Sequence, residues 1–313
     1  MAKVTEIALS VVIPAFDREE SLSAAMASCL ADPRDDIELI IVDDGSTDNT
    51  LVLARKIAAT DVRVTVISLD QNMGVCAARN AGVSQARGVW VAFLDSDDEF
   101  PVGIYSRLLP LLERVPIDVG GFYARRRHDS GLISPPTLKA VQRLSGDEYL
   151  RLIEDNYFTN CDTFCAMRRA TFTSLPWPAR RVPEIEYHFA FARHFGILAS
   201  PEVLYICHHG AANQLTRSGN LVKVLAHEIE RVESYRRIIA AEGKAMRRHA
   251  PALRRLMIER SLMAEGTANG RRAMWRVARA MGGLPPWPRA AILLMVGTAM
   301  PSLAYRLKTR RVR

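Results

Sequence analysis

Five aspartates stand in two short segments where their carboxylates could bind a metal ion. Asp43 and Asp44 follow one apolar run of the chain, and Asp95, Asp97 and Asp98 follow another. Two carboxylates at positions i and i+2 of a turn can reach the same hard divalent cation, whose shell is usually completed by phosphate oxygens and water. The spacing therefore predicts a Mn2+ or Mg2+ site at Asp95 and Asp97 that also binds a diphosphate. The alternative is a solvated acidic turn, because an isolated Asp-x-Asp is common by chance.

One arginine offers the positive charge that a diphosphate requires. Arg79 lies in a segment, residues 72–82, that is rich in Gly and Ala and therefore allows a helix to pack closely on a sheet. A guanidinium can bond two phosphate oxygens at once. We expect Arg79 to contact the diphosphate, with an ordinary surface arginine on a helix as the alternative.

The front half of the chain supplies alternating strands and helices that can position these residues. Strand–helix units in alternation build an α/β fold with a mostly parallel central sheet and helices on both faces. Apolar and β-branched runs predict strands, and apolar residues at helical spacing predict helices. The predicted strands are Leu9–Pro14, Glu38–Asp43, Val62–Leu69 and Val89–Leu94, and the predicted helices are Arg18–Leu30, one ending near Ala59, and Gly74–Arg87.

Ligands of such sheets bind beyond the carboxyl ends of the strands, near the point where the strand order reverses. This rule selects residues after the first, second and fourth strands. Carboxylates gathered at one sheet edge repel one another unless a metal or hydrogen-bond donors neutralise them, which favours the metal site over the solvated turn. The selected residues are Pro14, Ala15 and Phe16, then Asp43 and Asp44, and then Asp95, Ser96, Asp97 and Asp98.

Composition and charge narrow the class of protein. The chain has 313 residues, of which 49% are hydrophobic and 24% charged, which excludes a mainly disordered chain. Residues 1–120 carry a net charge of −9 and residues 121–313 a net charge of +17. The five cysteines form no zinc constellation, and the N-terminus lacks the apolar segment of a secretory signal. We therefore expect reduced thiols in a cytoplasmic protein.

Four motifs follow one another in the front half: LSVVIPAFDRE, IIVDDGSTDNT, NMGVCAARNAG and VAFLDSDDEF. In this order and spacing they resemble family 2 glycosyltransferases with the GT-A fold, which is Rossmann-like. The resemblance is strong over about residues 8–120 and weaker over about 180–217. It implies a GT-A domain at 1–217, with a nucleotide-sugar-binding half at about 8–120 and an acceptor half at about 121–217. A helical, basic C-terminal extension would follow at 218–313.

The resemblance also implies a role for each matched residue. Asp97 would be the direct metal ligand, with Asp95 nearer the ribose and Ser96 between them, and Arg79 would contact the diphosphate. Asp98 would face the acceptor side. The base pocket would be lined by Pro14, Ala15 and Phe16, with Asp44 holding the base or ribose and Asp43 beside it.

Inverting transfer needs a general base for the acceptor hydroxyl, and here the chain departs from the family pattern. Family members often supply it from a Glu-Asp pair, but this chain has Glu184-Ile185-Glu186, without the aspartate. We expect Glu186 as base, then Glu184, then His188. The alternative is that both glutamates are solvated residues of a helix over Glu184–His194.

Three further features have two interpretations each. His209, in a polar loop, is expected to ligate Mn2+ or to hydrogen-bond within a turn, and Trp177 to stack on a sugar ring or to anchor a loop. Residues 244–313 carry a net charge of +14 and include the uncharged stretch Ala290–Tyr305. This stretch is shorter than the ~20 residues of a spanning helix, so we expect peripheral membrane contact through an interfacial helix, or packing on the domain. Because no recognition module is visible, nucleic acid is not an expected partner.

Two functions follow from these observations. The first is an inverting, metal-dependent glycosyltransferase in cell-surface glycan or polysaccharide synthesis, acting at the cytosolic face of the membrane. It would move a sugar from a nucleotide-sugar, with UDP as the expected nucleotide, to a hydroxyl of a glycan or lipid-linked acceptor. The second is a catalytically impaired assembly subunit that binds nucleotide-sugars but has lost the base.

Overall fold

The computed structural model describes residues 6–156, 163–179, 184–208, 221–258 and 261. The chain divides into two compact units. The first unit contains Met1–Arg181 and Tyr187–Arg217, and the second contains Val182–Glu186 and Ser218–Arg313.

Four parallel strands form one half of the sheet in the first unit. Their order is β3-β2-β1-β4, so β1 lies between β2 and β4 and the strand order reverses beside it. Every residue of β1, β2 and β4 is buried, as expected of strands covered on both faces. The strands are β1 (Leu9–Ala15), β2 (Ile37–Asp43), β3 (Val64–Ser68) and β4 (Trp90–Phe93).

Helices alternate with these strands, which confirms the predicted α/β class. The first helix begins at Leu22 and not at Arg18 as predicted. Residues 19–21 form a turn, and the Arg18 and Glu19 N–H groups donate to the side chains of Thr50 and Asp48. The helices are α1 (Leu22–Leu30), α2 (Thr50–Ala58), α3 (Val75–Gln85) and α4 (Ile104–Glu113).

The other half of the sheet is mixed. It continues from β4 in the order β8-β5-β9-β7, with β6 paired to β5. β5 and β9 run parallel, whereas β8 is antiparallel to both β4 and β5. The strands are β5 (Gly121–His128), β6 (Ile133–Ser134), β7 (Gln142–Leu144), β8 (Phe164–Arg168) and β9 (Ile197–Cys207), and the helices are α5 (Gly146–Asn156) and α6 (Glu184–Phe195).

Close packing and a buried polar network hold α3 and its flanking turn against the parallel strands. A Cβ atom placed on Gly82 of α3 would lie 2.4 Å from Val12 Cγ1 of β1, so only glycine fits there without movement. At the other end of the strands, the Ser10 hydroxyl donates to Glu38 Oε1 at 2.7 Å, and the Arg87 N–H donates to the same oxygen at 2.6 Å. These contacts fix the helix that carries Arg79.

The described part of the second unit is helical. α7 (Leu221–His249) is followed by helical residues 251–258. Within the ranges that the structure describes, no helix combines the length and apolar character needed to span a membrane. The predicted interfacial helix at Ala290–Tyr305 lies outside the described residues, so it stays a prediction.

Candidate functional site

The parallel register brings the selected segments to one edge of the sheet. Ala15 at the end of β1 is opposite Asp43 at the end of β2, and the Asp44 N–H donates to the Ala15 carbonyl at 2.8 Å. β4, on the other side of β1, ends at Phe93, two residues before Asp95. The edge lies where the strand order reverses, the usual place for a ligand in such sheets.

Asp44 is buried and holds the loop that precedes α3. Its Oδ1 accepts the Met73 N–H at 2.7 Å and its Oδ2 accepts the Gly74 N–H at 2.8 Å. The neighbouring Gly45 has φ +72°, and a Cβ there would lie 2.6 Å from the Gln71 carbonyl carbon. Asp44 therefore orders the wall of the site through backbone contacts, and direct contact between Asp44 and a base or ribose stays a prediction.

Asp43 differs from Asp44 because one of its carboxylate oxygens is unsatisfied. Oδ2 accepts the Ser46 N–H at 3.3 Å. Oδ1 is buried, and no described residue donates a hydrogen bond to it. An unpaired buried carboxylate oxygen costs free energy, so this atom is suited to accept an N–H from a ligand.

Two loops at this edge are joined by hydrogen bonds that the sequence analysis missed. Asp17, which has φ +50°, donates its N–H to Ser46 Oγ at 3.0 Å and accepts the Thr47 N–H at 2.8 Å. Glu19 Oε2 accepts both the backbone N–H and the side-chain amide of Asn49, at 3.1 and 2.8 Å. The Ser, Thr, Asp and Asn residues after β2 were the available signal, because such side chains often bond nearby backbone.

Arg79 is buried beside an exposed carboxylate. Its side chain has 4% relative exposure and Nη2 lies 3.5 Å from Asp95 Oδ1, while the Asp95 side chain is 45% exposed. The guanidinium carbon lies 4.6 Å from the centre of the Trp177 ring and 5.3 Å from that of the Phe93 ring. Two aromatic rings and Asp95 thus define the position of the guanidinium.

Trp177 is a loop anchor in this structure. Its side chain is fully buried and stacks on Tyr187 with the ring centres 3.8 Å apart. Asn80 bonds the Trp177 backbone in both directions, donating to its carbonyl at 2.8 Å and accepting its N–H at 3.0 Å. These contacts make Trp177 an anchor of its loop, and its expected stacking on a sugar ring stays a prediction.

The turn formed by residues 95–98, here called the metal turn, presents two partly exposed carboxylates. The turn is closed by the Asp98 N–H, which donates to the Asp95 carbonyl at 3.1 Å. Asp95 and Asp97 are partly exposed, whereas Ser96 is buried. No group of three or more His, Cys, Asp or Glu side chains in the described ranges could hold a metal. Two carboxylates nevertheless fit Mg2+ or Mn2+ when substrate phosphates supply further ligands.

Asp98 is buried and bonds the backbone just after β9. Its Oδ1 accepts the His208 N–H at 2.8 Å, and the residue is 3% exposed. Burial raises the pKa of Asp98 above its ordinary value, against the lowering effect of the hydrogen bonds from His208 and Tyr205. The expected acceptor-side position of Asp98 stays a prediction. The predicted metal ligand His209 lies outside the described residues.

The candidate bases have distinct surroundings. Glu186 forms a bidentate ion pair with Arg237, at 2.7 and 2.8 Å, and both residues belong to the second unit. The hydrogen bond to Glu186 raises the pKa of Arg237. Glu184 is exposed, whereas His188, in the first unit, is hydrogen-bonded through Nδ1 to the Tyr123 hydroxyl. The sequence analysis missed Tyr123 and Arg237, and the identity of the base stays a prediction.

Sequence comparison identifies the relatives of this chain. The family model for glycosyl transferase family 2 matches residues 10–175. The succinoglycan biosynthesis protein ExoO of Rhizobium meliloti is 44% identical over 87 residues, which are 28% of this chain and 24% of ExoO. The alignments with three other curated glycosyltransferases cover only 41%, 36% and 43% of those proteins.

Two solved structures share the fold. Staphylococcus aureus TarS 1-349 in complex with UDP-GlcNAc superimposes with a TM-score of 0.65 at 14% identity, covering 96% of this chain and 92% of that one. The mannosyltransferase PcManGT from Pyrobaculum calidifontis, in complex with GDP-Man and Mn2+, has a TM-score of 0.51 at 19% identity and covers 97% and 83%. At these identities the likeness shows the fold alone, and it confirms the predicted GT-A architecture.

Proposed function

Because the chain belongs to glycosyltransferase family 2, we propose that it transfers a sugar from a nucleotide-sugar, with UDP as the nucleotide, to a hydroxyl acceptor. The acceptor is a cell-surface glycan or its lipid-linked precursor. ExoO, named for succinoglycan biosynthesis, supports the glycan class, and TarS, solved with UDP-GlcNAc, supports the nucleotide. The reaction would take place at the cytosolic face of a membrane, with peripheral contact through residues 244–313.

The observation that carries this proposal is the position of Arg79 at the carboxyl edge. Nucleotide-sugar chemistry releases a nucleoside diphosphate, whose negative charge grows as the bond to the sugar breaks. Arg79 is fixed by Trp177 and Phe93 before any ligand arrives, so it can stabilise that charge without reorganising. Its carboxylate partner Asp95 is exposed enough to turn toward a cation.

The metal turn would bind the diphosphate of the donor, and the ends of β1 and β2 would bind its base. Asp97 and Asp95 would hold Mn2+ or Mg2+, which when bound supplies positive charge against the diphosphate oxygens. Phe16, 37% exposed beside Pro14 and Ala15, offers an apolar surface for the base. The unsatisfied Oδ1 of Asp43 would accept an N–H of the base.

The acceptor hydroxyl would attack the anomeric carbon opposite the leaving diphosphate, which inverts that carbon. Its proton must pass to a base, for which Glu186 and Glu184 remain the proposed residues and His188 the third. Both carboxylate oxygens of Glu186 are hydrogen-bonded to Arg237, so this contact would have to loosen before Glu186 acted as the base.

The same ion pair, with the missing aspartate, favours a second candidate function. A chain that keeps the donor site but has no competent base would bind nucleotide-sugars without transferring the sugar. Such a chain would serve as an assembly subunit of a glycan-synthesising complex.

One experiment tests both proposals. The full chain is incubated with UDP-sugars, Mn2+ and candidate hydroxyl acceptors, and UDP release and UDP binding are measured in parallel. Release of UDP supports the transferase, and Mn2+-dependent binding without release supports the subunit. Asp97→Ala is expected to abolish metal-dependent UDP binding, whereas Asp118→Ala, on the exposed surface beside Arg143, should leave it unchanged. A wild-type chain that neither binds nor releases UDP would contradict both functions.

A further inference from the structure

The metal turn is hydrogen-bonded to the end of β9, a strand of the other half of the sheet. Just beyond the end of β4, the Asp95 N–H donates to the Tyr205 hydroxyl at 3.0 Å. One residue after the turn, Glu99 and Ile206 exchange two backbone hydrogen bonds, at 2.9 and 3.0 Å. The His208 N–H donates to Asp98 Oδ1 at 2.8 Å. Three residues at the end of β9 therefore hold the turn.

The Tyr205 hydroxyl is placed to link both ends of the turn. Its oxygen accepts the Asp95 N–H at 3.0 Å, and the hydroxyl also lies close enough to the Asp98 carboxyl to lower the pKa of that group. A phenol can accept with a lone pair and donate its proton at the same time, so one hydroxyl can serve both groups. The two residues between its partners are Ser96 and Asp97, the second of which is the expected metal ligand.

The Tyr205 ring is itself held in place. It is buried and packs edge-to-face on Phe100, with ring centres 6.3 Å apart, while the Arg126 guanidinium lies 6.0 Å from the ring centre. The hydroxyl is therefore a fixed point in the core and not a mobile surface group. Without it, the Asp95 N–H would lose this acceptor.

We propose that Tyr205 is a positioning residue for the metal turn, which sets the geometry in which Asp95 and Asp97 bind Mn2+ together with a nucleoside diphosphate. This inference rests on the metal site of the proposed function. Small divalent cations of this class tolerate little deviation in ligand geometry, and losing a residue that orients a metal ligand typically costs about 10- to 100-fold in metal affinity. The Tyr205 hydroxyl bonds the backbone of the turn, so its removal should weaken metal binding and leave metal-free nucleotide binding unchanged.

Tyr205→Phe removes the hydroxyl and keeps the ring. The matched control is Tyr105→Phe, because Tyr105 is equally buried and also packs on Phe100, but its hydroxyl donates to the Cys29 carbonyl at 2.8 Å, away from the turn. Both variants of the full chain are titrated with Mn2+ at saturating UDP, with free Mn2+ followed by electron paramagnetic resonance. UDP affinity without metal and the midpoint of thermal unfolding are measured on the same samples.

We expect Tyr205→Phe to raise the half-saturating Mn2+ concentration about tenfold, while Tyr105→Phe leaves it unchanged. Metal-free UDP affinity should be the same in all three proteins. An unchanged Mn2+ affinity in Tyr205→Phe, or an equal loss in Tyr105→Phe, would overturn this inference and leave the proposed function standing. A wild-type chain with no Mn2+-dependent UDP binding would instead refute the metal site itself, and the inference with it.

Discussion

Gly82 is the position where one added methyl group should separate α3 from the sheet. A Cβ there would lie 2.4 Å from Val12 Cγ1, 3.1 Å from Val12 Cγ2 and 3.3 Å from Val42 Cγ2. Carbon atoms normally approach to about 3.5–4.0 Å, so the first contact is more than an ångström too short. Val12 is buried and β-branched, so it has no alternative rotamer into which it can move easily.

The magnitude follows from two opposing terms. Replacing glycine by alanine inside a helix stabilises it by about 1 kcal/mol, whereas overpacking a buried contact costs typically about 1–3 kcal/mol. The 2.4 Å contact places the cost at the upper end, so we expect Gly82→Ala to lower the free energy of unfolding by about 2 kcal/mol. Gly243→Ala, inside α7, is the control, because a Cβ there would meet only Ile239 Cγ2, at an ordinary distance of 3.6 Å. This substitution should raise the free energy of unfolding by up to about 1 kcal/mol.

Equilibrium urea unfolding, followed by near-ultraviolet circular dichroism, measures both variants. The decisive comparison adds Val12→Ala, which removes the two shortest of the three contacts and leaves only Val42 Cγ2 at 3.3 Å. In a double-mutant cycle, Gly82→Ala should cost much less in the Val12→Ala background, with a coupling of about 2 kcal/mol. Additive effects of the two substitutions, or a Gly82→Ala variant as stable as the wild type, would refute the packing argument.

Two other predictions concern buried polar contacts. Burial raises the pKa of Glu38, but hydrogen bonds from Ser10 and Arg87 outweigh it and hold the pKa below its ordinary value. This stabilisation is present above the unfolded pKa of about 4.3 and is lost as the pH falls through the folded pKa. Glu38→Gln should therefore lower the free energy of unfolding by about 1–3 kcal/mol near pH 7. Urea unfolding at several pH values should show that this free energy falls less steeply with acid in the variant than in the wild type. Parallel curves of unfolding free energy against pH would contradict this. Asn80→Ala leaves the Trp177 N–H and carbonyl without their Asn80 partners. It should lower the free energy of unfolding by about 2 kcal/mol and change the near-ultraviolet circular dichroism of the tryptophan. An unchanged spectrum and stability would show that Asn80 does not hold Trp177.

The sequence predicted the parallel half of the fold because its signals are local. Continuous apolar runs indicated β1, β2 and β4 within one or two residues of their observed ends. The rule that ligands bind at the carboxyl ends of parallel strands then placed Asp43 and Asp95 at one edge. Short-range periodicity and one topological rule were sufficient for this part of the site.

The contacts that fix the site could not be predicted, because they join residues far apart in the chain. Asn80 and Trp177 are 97 positions apart, and Asp95 and Tyr205 are 110 positions apart. No local pattern distinguishes Tyr205 from any other tyrosine in a strand. The contact that buries Asp98 could not be predicted for the same reason, since its partner His208 follows the distant strand β9.

The hydrogen bonds between residues 17–19 and residues 46–50 run in both directions, with each loop donating backbone N–H groups to side chains of the other. Neither loop therefore carries all the groups that its own conformation requires. A chimaera that imports one of them from a relative would leave donors and acceptors of the other without partners. An exchange of these segments with a relative should accordingly transfer the two loops as a pair.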